Sequence, residues 1–456
     1  MTVNLGLRWD KDIGLNGGSI QANARSYTEL KAIGNPFAKS LPHDDNKDFS
    51  PRVGIAWDLT GAGKHVIRAG YGLYFGQTFI NIPLFMEQQA NATIFSTVQY
   101  TSPGPGNPNA SVLPTGQLLS AWRFGIDPLP PQAPGGVNLP ANATGQMVDP
   151  SYRNPYTEQF NGGYSWQLTS DSVFEAEYVH SLGLHESKTI VINPTVNGVR
   201  FTTPLFQAAG VPVLGGIRDY MSIGRSRYDG MNLSYRRRMS KRFSVNATYV
   251  LSRSLAYNGN SAAFGNTPTD EFNWFAAHDF GPTPADERHR ITLSGLVNLP
   301  FGIELAPIMQ WATGRPYNAT EGITDVFAQG SGVAATHAIV LDSDPTNLKA
   351  TAGYTAAQLQ TCIAASTCHQ LTYDYLRGED FFQLDLRLAK TVKFGEKSRL
   401  QLIFQAFDLT NRANFGAAYG GNIRTSTFQT PTGFISGSGV IVPKSFGGEF
   451  GARFSF

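Results

Sequence analysis

Residues 382–406 read FQLDLRLAKTVKFGEKSRLQLIFQA. Phe382, Leu384, Leu386 and Leu388 share one parity, and Gln383, Asp385 and Arg387 the other; beyond the FGEK turn the apolar parity resumes at Leu400, Leu402, Phe404 and Ala406. Successive side chains of a pleated backbone point to opposite sides, so each half is a strand with one apolar and one polar face. The closing stretch GGEFGARFSF, residues 447–456, repeats the pattern, with Phe450, Ala452, Phe454 and Phe456 against Glu449, Gly451, Arg453 and Ser455. Its last residue is itself part of the apolar face.

Working outward, the same period recurs in about twelve segments. Val3–Trp9 is the first; Val53–Leu59 and Ile67–Phe75 flank the tight GAGK at 61–64. Phe160–Leu168 leads through TSD to Phe174–Tyr178, and Met231–Tyr235 turns at RRRMSKR into Phe243–Tyr249. Ile291–Leu299 turns at PFG into Ile303–Met309, and the opening hairpin and the final strand complete the set. Short turns at 60–64, 169–172, 239–242, 300–302 and 394–398 alternate with long segments of loop composition at about 11–50, 77–154, 183–225, 256–286, 316–378 and 411–445.

That alternation carries topological information. In an up-and-down sheet it gathers every short turn at one end and every long loop at the other, the polarity of outer-membrane barrels with periplasmic turns and external loops. Greek-key sandwiches mix connection lengths at both ends. The expected fold is therefore all-β, an antiparallel up-and-down transmembrane β-barrel. Its polar parity, including Arg68, Glu175, Glu177, Asn232, Ser234, Gln383, Gln401, Asp385 and Arg387, faces a wet or plugged lumen. Leu293, Val297, Leu305, Leu384, Leu386, Leu402 and Phe404 face lipid.

Composition agrees. The 456 residues include 48 Gly, 18 Tyr and 30 Phe, with only 15% charged residues, so strand and turn formers dominate. A net charge of +2 gives no global field for a nucleic-acid partner. No stretch approaches the roughly 18 apolar residues of a spanning helix, a test blind to spanning strands. No secretory leader is visible in MTVNLGLRWD, which already alternates. Cys362 and Cys368, six positions apart, fit either a small-loop disulfide in an oxidising compartment or two unpaired thiols.

The stretches PRVGIAWDLTGAGKHVIRAGYGLYFG, NPYTEQFNGGYSWQL, SRYDGMNLSYRRR, ADERHRITLSGLVNLPFG, LQLIFQAFDLTNRANFG and GARFSF resemble, in order and spacing, the C-terminal barrel portion of a TonB-dependent outer-membrane receptor of the Oar-like group. The resemblance implies a barrel of 22 strands, an N-terminal plug and a TonB box. With about twelve strands and none of those upstream parts, residues 1–456 are expected to be a partial outer-membrane β-barrel domain. The implied setting is the outer membrane. Implied partners are membrane lipid and lipopolysaccharide, the barrel assembly machinery, the TonB system through the absent plug, and an unknown ligand at the external loops. An outer-membrane receptor for TonB-dependent uptake is the first functional expectation; a structural or adhesive barrel whose loops bind surface polysaccharide or another cell is the second.

Several motifs invite other chemistry. GAGK lacks the first glycine of a phosphate loop, since Asp58 stands there, and it has His65 where Ser or Thr is required; it is read as a hairpin turn. Arg236, Arg237, Arg238, Lys241 and Arg242 sit between two strands and are read as a rim turn near headgroups rather than a nucleic-acid patch. Asp286-Glu287-Arg288-His289-Arg290 is read as an external strand start whose cations meet anionic lipid phosphates, because nothing supplies a nucleophile beside the histidine. His43-Asp44-Asp45 and His278-Asp279 are read as solvated loop acids rather than metal ligands. No catalytic, cofactor or metal residue is therefore assigned, and no enzyme activity or nucleic-acid binding is expected. Phe450, Phe454 and Phe456 resemble the terminal strand signal read by the outer-membrane assembly machinery.

Overall fold

A computed structural model describes residues 1–14, 16, 18–77, 81–90, 121, 123, 125–127, 145–257, 268–329, 335–396, 398–435 and 445–456. Twelve long strands carry the architecture: β1 (Thr2–Asp10), β2 (Asp48–Asp58), β3 (His65–Phe75), β4 (Tyr156–Thr169), β5 (Ser172–Val191), β6 (Ile217–Ser240), β7 (Phe243–Tyr257), β8 (His289–Leu299), β9 (Ile303–Ala312), β10 (Phe381–Phe394), β11 (Ser398–Phe407) and β12 (Gly447–Ser455). Each pairs antiparallel with its neighbour in sequence, an uninterrupted meander. Among the described residues β1 pairs only with β2 and β12 only with β11, so the sheet ends on two strand edges. No described helix is long and apolar enough to cross a membrane.

The five short turns lie at one end of the meander. Asp58 shapes the first: its carboxylate accepts the N–H groups of Thr60 (3.1 Å), Gly61 (3.0 Å) and Gly63 (2.7 Å), and both glycines adopt positive φ. GAGK is thus a turn folded around a side-chain acceptor. Register continues each parity across the sheet. Leu388 faces Leu305 on one side and Phe404 on the other, Phe404 faces Phe450, and Val297 faces both Leu305 and Phe243. All seven leucine, valine and phenylalanine residues expected on one face share it, while Gln383, Asp385, Arg387 and Gln401 lie on the other. A slip of one residue in any pair would interrupt this face.

Aromatic rings mark both ends of the apolar face. Trp9 packs on Phe49 and Phe75 on Tyr156 at the long-loop end, with Trp311 paired to Phe382. His65 stacks with Trp166 at the short-turn end, where Trp57, Phe243, Phe394 and Phe454 also lie. From Tyr156 to Trp166, at about 3.4 Å per residue and a tilt of about 40°, the span is about 26 Å, which matches an outer-membrane apolar band with its two aromatic girdles.

The expected loop 183–225 is shorter than composition suggested. β5 runs on to Val191 and β6 begins at Ile217, so both strands project well beyond their neighbours. Their outer parts bury residues of both parities, as at Lys188, Ile190 and Val191, which erases alternation. The expected loops 11–50, 77–154, 256–286, 316–378 and 411–445 fall partly outside the described residues.

Candidate functional site

The long connections build a cap of two lobes over one end of the sheet. The first lobe draws on the connections after β1, β3 and β5. The helices Arg25–Ala32 and Asn81–Ala90 bring Tyr27, Leu30, Ile82 and Met86 against Met147, Ile190, Phe206 and Ile217. The short strand Gly145–Val148 runs parallel to the start of β6. Gln21 joins two loops at backbone level: its side chain donates to the Val148 carbonyl (2.9 Å) and accepts the Val148 N–H (2.7 Å). A buried amide satisfied at both ends fixes one geometry.

The second lobe uses the connections after β9 and β11. Tyr317, Ala338, Val340, Leu371, Ile423 and Phe428 form one small core, and Val326, Ile339, Leu359 and Cys368 another. Helix Ala356–Ala364 starts on a capping box made by Thr355 and Gln358. Cys362 and Cys368 are bonded to each other, which ties this helix to the strand Cys368–Gln370. The two loops are joined by Arg424, which donates to the buried Glu321 carboxylate (2.6 Å) and backbone carbonyl (2.6 Å) and to the Tyr354 carbonyl (2.7 Å).

A polar seam from the connection after β7 lies between the lobes. Gln329 of the second lobe accepts the Glu271 N–H (2.7 Å) and donates to Asp270 (2.7 Å), while its carbonyl accepts the Thr195 N–H (2.7 Å) of the first. Glu271 accepts the Val191 N–H at 3.2 Å. Burial pushes the Glu271 carboxyl up to about 8, against the Val191 hydrogen bond and with the help of the nearby acids Asp270, Asp325 and Asp279. Beside it, buried Asp279 lies 3.5 Å from His337 Nε2 and 4.0 Å from His278 Nε2, and Thr269 Oγ1 lies 2.8 Å from His278 Nε2. Burial lowers the pKa of His278, with Asp279 opposing.

His278-Asp279 is therefore a buried inter-loop contact, which corrects its reading as solvated acid. His43-Asp44-Asp45 stays local, Asp44 accepting the Gly14 N–H at 2.8 Å and Asp45 the Lys47 N–H at 3.0 Å. Among the described residues no group of three His, Cys, Asp or Glu is arranged to hold a metal ion. Asp286–Arg290 is a strand start, as expected, with β8 beginning at His289, but its charges are paired within the protein. Glu287 takes Arg290 (2.7 Å) and Arg315 (2.8 Å), Asp286 takes Arg377 and the Ser254 N–H, and His289 meets the Tyr249 hydroxyl (2.8 Å). Arg290 donates to the Glu287 carboxylate and to Gln310 and lies on the polar face, opposite to the lipid-facing parity.

The basic run divides by parity. Arg237 points to the apolar face, with its guanidinium 4.2 Å from the Phe243 ring centre and 3.5 Å from Asp171. Arg236 and Arg238 alternate with it and line the polar face, so the single rim-turn reading covers only part of the run. Phe450, Phe454 and Phe456 lie on the β12 edge, with 86%, 56% and 96% of their surface exposed. Phe450 packs on Phe404 and Phe454 on Phe456, and Phe454 lies opposite Leu400 in the last hairpin.

A meander with one apolar face between aromatic girdles, short turns at one end and folded loops at the other is the wall of an outer-membrane β-barrel. The chain belongs to the family described as Outer membrane beta barrel domain, which it matches over residues 1–440, and its place is the cell outer membrane. The apolar face is thus lipid-facing and the polar face lumenal. No match was found among curated proteins. Similar solved structures include the outer membrane transporter YddB from Escherichia coli (11% identity, 91% of this chain and 41% of that one, TM-score 0.43). The FrpB iron transporter from Neisseria meningitidis is another (9%, 91% and 40%, 0.42). The siderophore receptor PiuA from Acinetobacter baumannii is a third (11%, 90% and 36%, 0.42). The chain spans well under half the length of each.

Proposed function

We propose that the chain forms the barrel wall and external ligand-gathering surface of an outer-membrane receptor for TonB-dependent uptake, as the C-terminal part of a larger barrel whose plug and TonB contact belong to other segments. The observation that carries this reading is the two-lobed cap: the loops at one end only are folded on their own cores, which suits a surface that selects a ligand. The ordered resemblance of six barrel stretches to such receptors supports it as well. Comparing cells with and without TonB for depletion of solutes from a defined medium tests the reading. TonB-dependent depletion by cells carrying the full receptor supports uptake; surface retention indifferent to TonB overturns it in favour of the adhesive alternative.

The same reading gives Phe450, Phe454 and Phe456 the role of an assembly signal. An open strand edge offers backbone donors and acceptors to a pairing partner, and alternate aromatic side chains add specificity. The assembly machinery is the partner on this reading, and lipopolysaccharide meets the outer rim of the lipid-facing side. Deleting Phe456 lowers assembled, heat-modifiable barrel far more than Phe454→Leu. Equal assembly of the deletion and the parent would remove the signal role.

A further inference from the structure

The lumenal face holds a cavity of about 300 Å³ at the short-turn end, across β3 to β6. Arg68, Arg236 and Arg238 line it, with Ser165, Gln167, Ser170 and the start of β5 at Ser172. Its two acids are already engaged. Glu175 accepts from Ser165 Oγ at 2.8 Å and lies 3.8 Å from Arg68; Asp171 faces Arg237 at 3.5 Å and takes the Thr169 hydroxyl. Arg68 also donates to Ser165 at 2.8 Å. Among the described residues, no carboxylate is within ion-pairing distance of the Arg236 or Arg238 guanidinium, so two planar donor forks, two positions apart on one strand face, line the cavity together with Ser170 and Gln167.

We infer that this cavity is a binding site for a phosphate-class oxyanion. Guanidinium forks match phosphate oxygens bidentately, and charge-assisted bonds of this kind are roughly twice as strong as neutral ones. A carboxylate presents two oxygens to a site whose donors come from three strands and a turn; a tetrahedral anion presents oxygens in all those directions. The two resident acids repel any anion, so the ligand must engage both unpaired arginines to bind. A lipid headgroup is not the source, since the site opens on the face opposite to lipid. The same chemistry arises from free phosphate or from the phosphate of an organic monoester.

Titration of the purified, detergent-solubilised chain with inorganic phosphate at low ionic strength, followed by calorimetry, tests the site. Saturable binding is expected, competed by sulfate and weakened at least tenfold in the Arg236→Gln, Arg238→Gln double variant. Lys390→Gln, on the lipid-facing side, binds as the parent does. Heat-modifiable migration on gels confirms folding of each variant, and Arg236→Gln alone serves if the double variant does not fold. Tighter binding of glycerol phosphate than of inorganic phosphate assigns the site to organic monoesters, and the reverse order to free phosphate; either supports the oxyanion site. Absence of saturable binding to the parent, or parental affinity in the folded double variant, overturns it.

Discussion

Phe404 of β11 packs against Phe450 of β12 with ring centres 4.8 Å apart, on the lipid-facing side of the last hairpin. Leu402, paired with Ala452 one step further along the same face, sits at mid-strand and is half exposed. An arginine at that depth costs about 2–4 kcal/mol of barrel stability in a bilayer, because hydrocarbon does not solvate its charge. Leu402→Arg is therefore expected to lower the urea midpoint in lipid vesicles markedly. Gln401→Arg, adjacent but lumenal, should shift it by less than about 1 kcal/mol. Equal shifts would contradict the assigned parity.

The seam between the lobes responds to pH through Glu271. Its carboxyl has a folded pKa raised to about 8 from an ordinary 4.5, so the folded cap binds a proton that the opened loop releases. A raised pKa contributes stability that is complete below the unfolded value and is lost as pH rises toward the folded one. The cap is expected to be tightest below about pH 4.5 and to loosen progressively between about pH 5 and 8. Hydrogen exchange at the Val191 amide reads this directly, and Glu271→Gln should flatten the dependence. An exchange rate that, after correction for intrinsic base catalysis, falls with rising pH would have the wrong sign.

Arg424 links the last two loops through Glu321, whose buried carboxylate has a raised pKa because desolvation outweighs the arginine. Removing the cation leaves an unpaired buried acid, a change that costs about 3–5 kcal/mol for a fully buried pair and less here, since Arg424 is partly exposed. Arg424→Ala should speed exchange across residues 335–341 and leave β10 and β11 protected. Unchanged exchange in that segment would show that the two loops hold each other by packing alone.

Much of the wall was legible because lipid on one side and water on the other impose period two; all twelve strands and five turns follow from it. The outer parts of β5 and β6 were not, since Lys188, Ile190 and Val191 are buried together inside the first lobe, where no face is reserved for solvent. The lobes themselves rest on contacts such as Gln21 to Val148 and Arg424 to Glu321, between residues about a hundred positions apart, which no local pattern reports. One local signal was present: Thr355 and Gln358 at capping-box spacing in TAAQLQTCIA announce a helix in the segment read as loop. The splitting of Arg236, Arg237 and Arg238 between faces follows from parity carried through the turn, which the charge run obscured.

The central claim is that one sheet face meets lipid and the other an aqueous lumen, and single-cysteine labelling along β11 tests it most directly. Cysteines placed at 400, 402 and 404 in the vesicle-reconstituted chain, with Cys362 and Cys368 bonded to each other, should carry a fluorophore quenched by lipid-borne quencher and shielded from aqueous iodide. Cysteines at 401 and 405 should show the reverse. Uniform quenching along the strand, or alternation in the opposite phase, would contradict the account.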